Sequence, residues 1–335
     1  MSLRFFAAAF AVCLFVLAAP AHASCGTSSC PIDLNALNRP DRGGFTAELA
    51  FEHIDQSRPR IGTHDARVGE LRSDHDEVRT VNRTASLLLR YGLTERVQLS
   101  ASLPFVSRTH DHLASNHPAA RGRAVGQHNV VPQRWDIREA GDVLVQARAR
   151  VWGSNVEGLW LTAGVKLPTG SDDAANGAGS VAEASLQPGS GSTDGIVGVA
   201  YEMGFLRGGE GHATMIPLFA SATFRMNGTG SGGYRAGNEL QLSAGTAWPI
   251  ASHVELLAQA NARHRERDHL GGDAHHLAGP DGFTGGTALY ASPGLRVSFG
   301  RTAVYALVQL PLYQDVNGLQ LTARQNYVAG VQWRR

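Results

Sequence analysis

Long apolar runs are what this chain lacks. Beyond its first twenty or so residues there is no stretch of roughly 18 apolar residues, so the rest of the chain holds no membrane-crossing helix. Charge of one sign is missing too. Thirty Lys and Arg stand against 29 Asp and Glu, a net charge of +1. That balance excludes the basic excess of a nucleic-acid binder. Cysteine is scarce: there are 3 in 335 residues. Cys13 falls in the N-terminal apolar run, which leaves Cys25 and Cys30. Two thiols cannot complete a tetrahedral metal site. In an exported chain their spacing fits a small disulfide loop, with a thiol metal or redox role as the alternative.

What is present begins with a leader. Arg4 precedes an apolar run from Phe5 to Ala19, then Pro20 and Ala21-His22-Ala23. A charged start, a short apolar core and small residues before the cleavage point are the marks of a secretory signal peptide. The expected division is a signal peptide at 1–23, a periplasmic tail at 24–43 and a barrel domain at 44–335. A lipoprotein reading would use Cys25, but His22-Ala23-Ser24 lacks the leucine such sites prefer.

The barrel expectation comes from alternation. In Val97–Arg108, reading VQLSASLPFVSR, the apolar Val97, Leu99, Ala101, Leu103 and Phe105 alternate with Gln98, Ser100, Ser102 and Pro104. A period of two is a strand with one apolar face. Its length matches the roughly 9–11 residues a tilted strand needs to cross a bilayer. Similar segments recur along the chain, about twelve in all. Their connections alternate long and short, except for the last, Val316-Asn317-Gly318. Bacterial membrane barrels have an even number of strands, short turns at one end and long loops at the other. Soluble sandwiches show Greek-key connections instead. The expected fold is an all-β, transmembrane, antiparallel up-and-down β-barrel. The 39 glycines and a mean hydropathy of −0.16 are compatible with it.

The two faces differ in chemistry. The outer face carries Leu, Val, Ala and Phe. Aromatic residues, among them Phe45, Tyr91, Phe105, Trp248, Phe299, Tyr327 and Trp333, stand near strand ends, as in interfacial girdles. The other face carries Arg90, Arg148, Arg150, Lys166, Glu202, Glu239, Glu255, Arg263 and Arg296, together with Glu48 and Glu52. A packed soluble core would not hold so many charges. A watered or salt-bridged lumen would, either as a selective passage or as pairs that fill it. Arg83 falls on the apolar face and is expected at an interface. Most of the 14 histidines fall in predicted loops. His110-Asp111-His112 puts two imidazoles on one side of an extended segment, a weak candidate for Zn or Cu. The alternatives are a solvated loop or a pH-sensitive gate.

At Lys166-Leu-Pro-Thr-Gly170 and Leu186-Gln-Pro-Gly-Ser-Gly-Ser192 the chain resembles a transporter family named for the MetA pathway of phenol degradation. The Cys25–Cys30 segment with His75-Asp-Glu-Val-Arg-Thr-Val-Asn-Arg83 looks like an uncharacterised subgroup of such proteins. The resemblance implies an outer-membrane barrel in a Gram-negative envelope and passage of a solute, and it supplies no catalytic residues. The family's name suggests aromatic or hydrophobic compounds. One departure is the C-terminus: Trp333 is followed by Arg334 and Arg335, where such barrels end on an aromatic residue read by the barrel-assembly machinery.

The function expected is passive diffusion of a small solute through an outer-membrane channel. Its expected partners are outer-membrane lipid, the assembly machinery and the solute, with no cofactor and no nucleic acid. Two rivals remain. One is an outer-membrane hydrolase built on His112 with Ser115, on Ser73 with His75, or on Asp74, His75 and Asp111. The other is a metal-binding surface barrel using the His-bearing loops.

Overall fold

In the computed structural model the alternation of Val97–Arg108 becomes a two-sided strand. The residues described are 32, 41–68, 70, 75–115, 130–154, 156–207, 214–271 and 283–335. The signal peptide, Cys25 and Cys30 lie outside them. The wall strands are β1 (Phe45–Gly62), β2 (His75–Gly92), β3 (Val97–Ser115), β4 (Val130–Ala140), β5 (Val143–Gly153) and β6 (Glu157–Leu167). They continue with β7 (Asp194–Arg207), β8 (Thr214–Met226), β9 (Glu239–Ala251), β10 (Val254–Arg265), β11 (Gly286–Phe299) and β12 (Thr302–Arg334).

Apart from β4 and β5, which both pair with β3, each strand pairs antiparallel with the next, and the last closes on the first. Strand β12 is 33 residues long and serves twice. Its 302–316 half pairs with β11 and its 316–334 half with β1. The reversal falls at Asn317-Gly318, where Gly318 has φ +62°, as a two-residue hairpin turn requires. Strands β4 and β5 share one position in the wall: β4 pairs with the upper part of β3 and β5 with its lower part. With β12 counted as two staves and β4–β5 as one, the closed wall has twelve.

Short turns join the strands at the end where the described chain enters and leaves. Long connections gather at the other end. Arg335 N–H donates to the Phe45 carbonyl at 2.9 Å, and Arg334 reaches Asp41 at 2.5 Å. The two terminal arginines therefore extend the closing seam past Trp333.

The outer face is the apolar one. Leu99, Leu103 and Phe105 are exposed, as are Leu49, Phe51, Leu87, Leu161, Val197, Leu256, Leu295 and Val331. Between them Gln98 and Arg108 are buried inward. A ring of aromatics marks the short-turn end, with Phe45 and Trp333 centroids 6.5 Å apart and Phe205 and Trp248 likewise 6.5 Å. Exposed Trp152 and Phe299 belong to the same end. A cation placed on this belt is costly and one facing the lumen is not. Leu103→Arg is expected to destabilise the barrel by about 2–4 kcal/mol, and Ser100→Glu by less than about 1 kcal/mol. Equilibrium urea unfolding in lipid vesicles measures both. Equal costs at the two positions would contradict the assignment of faces.

The strands run further than their alternation. The polar stretches at about 55–80 and 109–140 lack apolar alternation and are expected to be long loops, yet β1 continues to Gly62, β2 begins at His75, β3 continues to Ser115, and β4 occupies 130–140. Above the belt the outer face no longer meets lipid, so pairing persists while apolar patterning stops. A charged collar takes its place. Arg79 holds both oxygens of Asp55 at 3.0 and 2.6 Å. Arg134 donates to Asp136 at 3.0 Å and to Asp111 at 3.4 Å, and Thr109 donates to Asp136 at 2.9 Å. The hydrogen bond from Arg79 lowers the Asp55 carboxyl below its usual range, and that from Arg134 does the same for Asp136. Arg83 is exposed at the base of this collar, opposite His53.

Candidate transport lumen

The inward positions of the strands carry many charges, and nearly all of them are paired. Near the short-turn end Arg90 donates to Glu48 at 2.7 Å, and Tyr305 and Gln332 complete that carboxylate at 2.6 and 3.2 Å. Arg296 bridges Glu255 at 2.9 Å and Gln332 at 3.2 Å. Arg148 pairs with Glu202 by reaching across β6, the strand between them. Its guanidinium lies 4.3 Å from the centroid of buried Trp160, with Arg150 at 5.7 Å from the same ring. Arg150 also donates to the Ser154 carbonyl at 2.5 Å. Trp160 went unremarked in the sequence, although its even position among Leu159, Leu161 and Ala163 places it on the inward face.

The middle of the lumen is uncharged and amide-rich. Asn261 donates to Ser243 at 3.1 Å and accepts from Ser292 at 2.7 Å. Asn326 donates to Gln309 at 3.2 Å. Above this band Arg263 grips Glu239 at 2.6 Å, and Gln241 donates to the other Glu239 oxygen.

The upper lumen is occupied by the chain's own 168–193 connection. Lys166 bridges Asp142 at 2.6 Å and Asp194 at 3.1 Å, and it also donates to Ser190 and Ser192. Asp142 accepts the backbone N–H groups of Gly170 and Ser190 at 2.9 and 3.0 Å. The residues that carry the family resemblance are thus the staples at the two ends of this loop. Gly189 N–H donates to the Ser171 carbonyl at 2.7 Å, so the ends meet. A side chain on Gly170 would strike the Gly141 backbone, and one on Gly189 would strike Gly170. Inside the loop Gln187 clamps the backbone of Ala174 and Ala182, at 2.8–3.2 Å.

Beyond its staples the loop folds into the barrel. Ala174, Ala182 and Leu186 cluster with Trp135 and Ile137 of β4 and Leu321 of β12. Trp135 donates to the Ser180 carbonyl at 2.9 Å, and Arg108 donates to the Leu186 carbonyl and to Asn82. A buried loop needs partners for its backbone, and these side chains provide them. The sequence pattern makes 169–193 a long connection rich in Gly, Ser, Ala and Asp, and those small residues are what lets it pack inside.

His110 and His112 share one face, as expected, but they lie on a strand and point inward. His110 meets Thr80 at 2.8 Å and His112 meets Gln133 at 2.9 Å. Both rings pack tilted against Trp135, at centroid distances of 5.9 and 4.6 Å. Among the described residues no three His, Cys, Asp or Glu side chains gather as a metal site. Ser73 and Asp74 lie outside the described residues, and Asp111 faces outward to Arg134. At the outer rim, Tyr234 and Arg265 converge on Asp268, each at 2.5 Å. Burial, reinforced by Asp268, pushes the Tyr234 hydroxyl above the usual phenol range.

Within the lumen lies a cavity of about 180 Å³. Leu144, Ile196 and Ile32 supply apolar wall; Gln146, Ser221, Thr223, Gln241 and Ser243 supply hydrogen-bonding groups; Arg225 and Glu239 supply charge. Ile32 belongs to the expected periplasmic tail, yet it also packs on the lumenal cluster of Ala247, Leu257, Tyr305 and Leu307.

No family model matches the chain, and no curated protein matches it. Solved structures do. An outer-membrane channel from Pseudomonas putida F1 is similar with a TM-score of 0.55 and 14% identity, over 91% of this chain and 99% of that one. The translocator domain of the autotransporter NalP from Neisseria meningitidis gives 0.42 and 12%, over 90% and 91%. A FadL homologue from Pseudomonas aeruginosa gives 0.41 and 10%, over 95% and 98%. The likeness to the Pseudomonas putida channel is one of fold: this chain has the fold of an outer-membrane β-barrel.

Proposed function

We infer that the chain is an outer-membrane channel that passes a small solute through its lumen by diffusion. The observation that carries this reading is the pairing of an apolar outer belt with a polar, charge-paired interior that encloses a cavity. Lipid would fit the first surface and water the second. The fold likeness to a channel supports it. The inward loop and the ion pairs favour a narrow, selective path over a wide pore. The resemblance at 166–170 and 186–192 favours a solute with aromatic or hydrophobic character. An N-terminal signal peptide would deliver the chain to the envelope, and the assembly machinery would insert it.

Two features weigh against hydrolysis. His112 is engaged with Gln133 and Trp135. Asp111 stands on the opposite face of the strand, paired with Arg134. Proteoliposome swelling tests the channel reading. Vesicles holding the barrel should swell in small neutral solutes faster than protein-free vesicles, with rates that fall steeply as solute size increases. Correctly folded barrels that leave the swelling rate unchanged for every solute would contradict it.

A further inference from the structure

The lumenal cavity joins an apolar wall to a charged side chain. One wall is apolar, from Ile32, Leu144 and Ile196. The same space is faced by Arg225, whose guanidinium has no hydrogen bond or ion pair among the described residues. The carboxylate whose charge it feels is Glu239, and that group is already taken. Arg263 holds one Glu239 oxygen and Gln241 the other. Glu239 therefore pairs with Arg263 and not with Arg225, and the Arg225 charge faces the cavity beside apolar side chains.

We propose that this cavity is a subsite for a small organic carboxylate, with the carboxylate on Arg225 and the apolar body against Ile32, Leu144 and Ile196. This rests on the channel reading and names its solute class. A planar guanidinium binds carboxylates through paired N–H donors. A volume of about 180 Å³ exceeds the roughly 150 Å³ of a cavity known to take benzene. The body is therefore about one six-membered ring or a short branched chain. A dicarboxylate fits less well, because Arg225 is the one cation among the lining residues and the carboxylate of Glu239 faces the same space.

The probe is benzoate, with benzyl alcohol as its neutral counterpart of the same size. Calorimetric titration of the detergent-solubilised barrel should show benzoate bound more tightly than benzyl alcohol. Arg225→Gln should weaken benzoate roughly 10–100-fold, the worth of a charge-assisted hydrogen bond, and leave benzyl alcohol unchanged. Arg225→Lys, which keeps the charge and loses the paired donors, should weaken benzoate less than Arg225→Gln does. Equal benzoate affinity in the wild type and Arg225→Gln, or no preference over benzyl alcohol, would overturn the proposal. Swelling assays run in parallel separate the two claims. Swelling in neutral solutes without benzoate preference removes the subsite and leaves the channel. Arg225-dependent benzoate binding without swelling in any solute removes the channel and keeps the binding site.

Discussion

Excision of residues 172–188, with Ser171 and Gly189 joined through two glycines, is expected to raise single-channel conductance several-fold. The two ends are already hydrogen-bonded at 2.7 Å, so a short turn can replace the loop without moving either. Lys166 keeps Asp142, Asp194, Ser190 and Ser192, and the staples of the wall survive. What is lost is the material in the upper lumen: Ala174, Ala182 and Leu186, and the cluster they form with Trp135, Ile137 and Leu321. Removing a plug from a narrow path enlarges the conducting section while the barrel stays closed. Planar-bilayer recording gives the conductance, and the unheated migration of the barrel on a denaturing gel confirms that it folds. A folded excision variant with unchanged conductance would mean that the loop does not stand in the path.

The second large effect concerns stability. Arg148→Ala leaves Glu202, only 1% exposed, without the guanidinium it faces. Breaking a buried pair by removing one partner costs about 3–5 kcal/mol, because the remaining charge stays desolvated. Loss of the stack on Trp160 adds to this. Urea unfolding in vesicles is expected to report that loss for Arg148→Ala. The double replacement Arg148→Met with Glu202→Leu should recover most of it, since apolar residues of similar size often substitute for a buried pair without penalty. If the double variant were no better than Arg148→Ala, the pair would not be the source of the cost.

Much of this was legible from alternation alone. Leu99, Leu103 and Phe105 face outward because a strand turns successive side chains to opposite faces, and a barrel fixes which face meets lipid. The same rule sends Arg90, Arg148, Lys166, Glu202, Glu239, Arg263 and Arg296 inward. It cannot say which charges meet. Arg148 finds Glu202 two strands away, a match set by the register of three strands together. The rule also fails above the membrane. There β1, β3 and β4 continue as a ladder with polar residues on both faces, so Asp55–Gly62 and Thr109–Ser115 read as loop. The inward fold of 168–193 was hidden for a different reason. A Gly-, Ser- and Ala-rich segment resembles a solvated loop, and only its contacts with Trp135, Arg108 and Leu321 show that it is enclosed. Arg225 stood in no reading of the sequence. Its odd position beside Ser221 and Thr223 was the one available sign that it faces inward.

Whether a watered lumen runs inside a lipid-facing wall is decided by thiol labelling. In a Cys25→Ser, Cys30→Ser background, single cysteines replace Gln146, which lines the cavity, and Leu103, which stands on the outer belt. The barrels are then exposed in lipid vesicles to a small charged aqueous thiol reagent and to a membrane-soluble one. Gln146→Cys should react with the aqueous reagent and lose conductance on modification. Leu103→Cys should react only with the membrane-soluble reagent, with its conductance unchanged. Aqueous labelling of Leu103→Cys with Gln146→Cys inert would contradict the account.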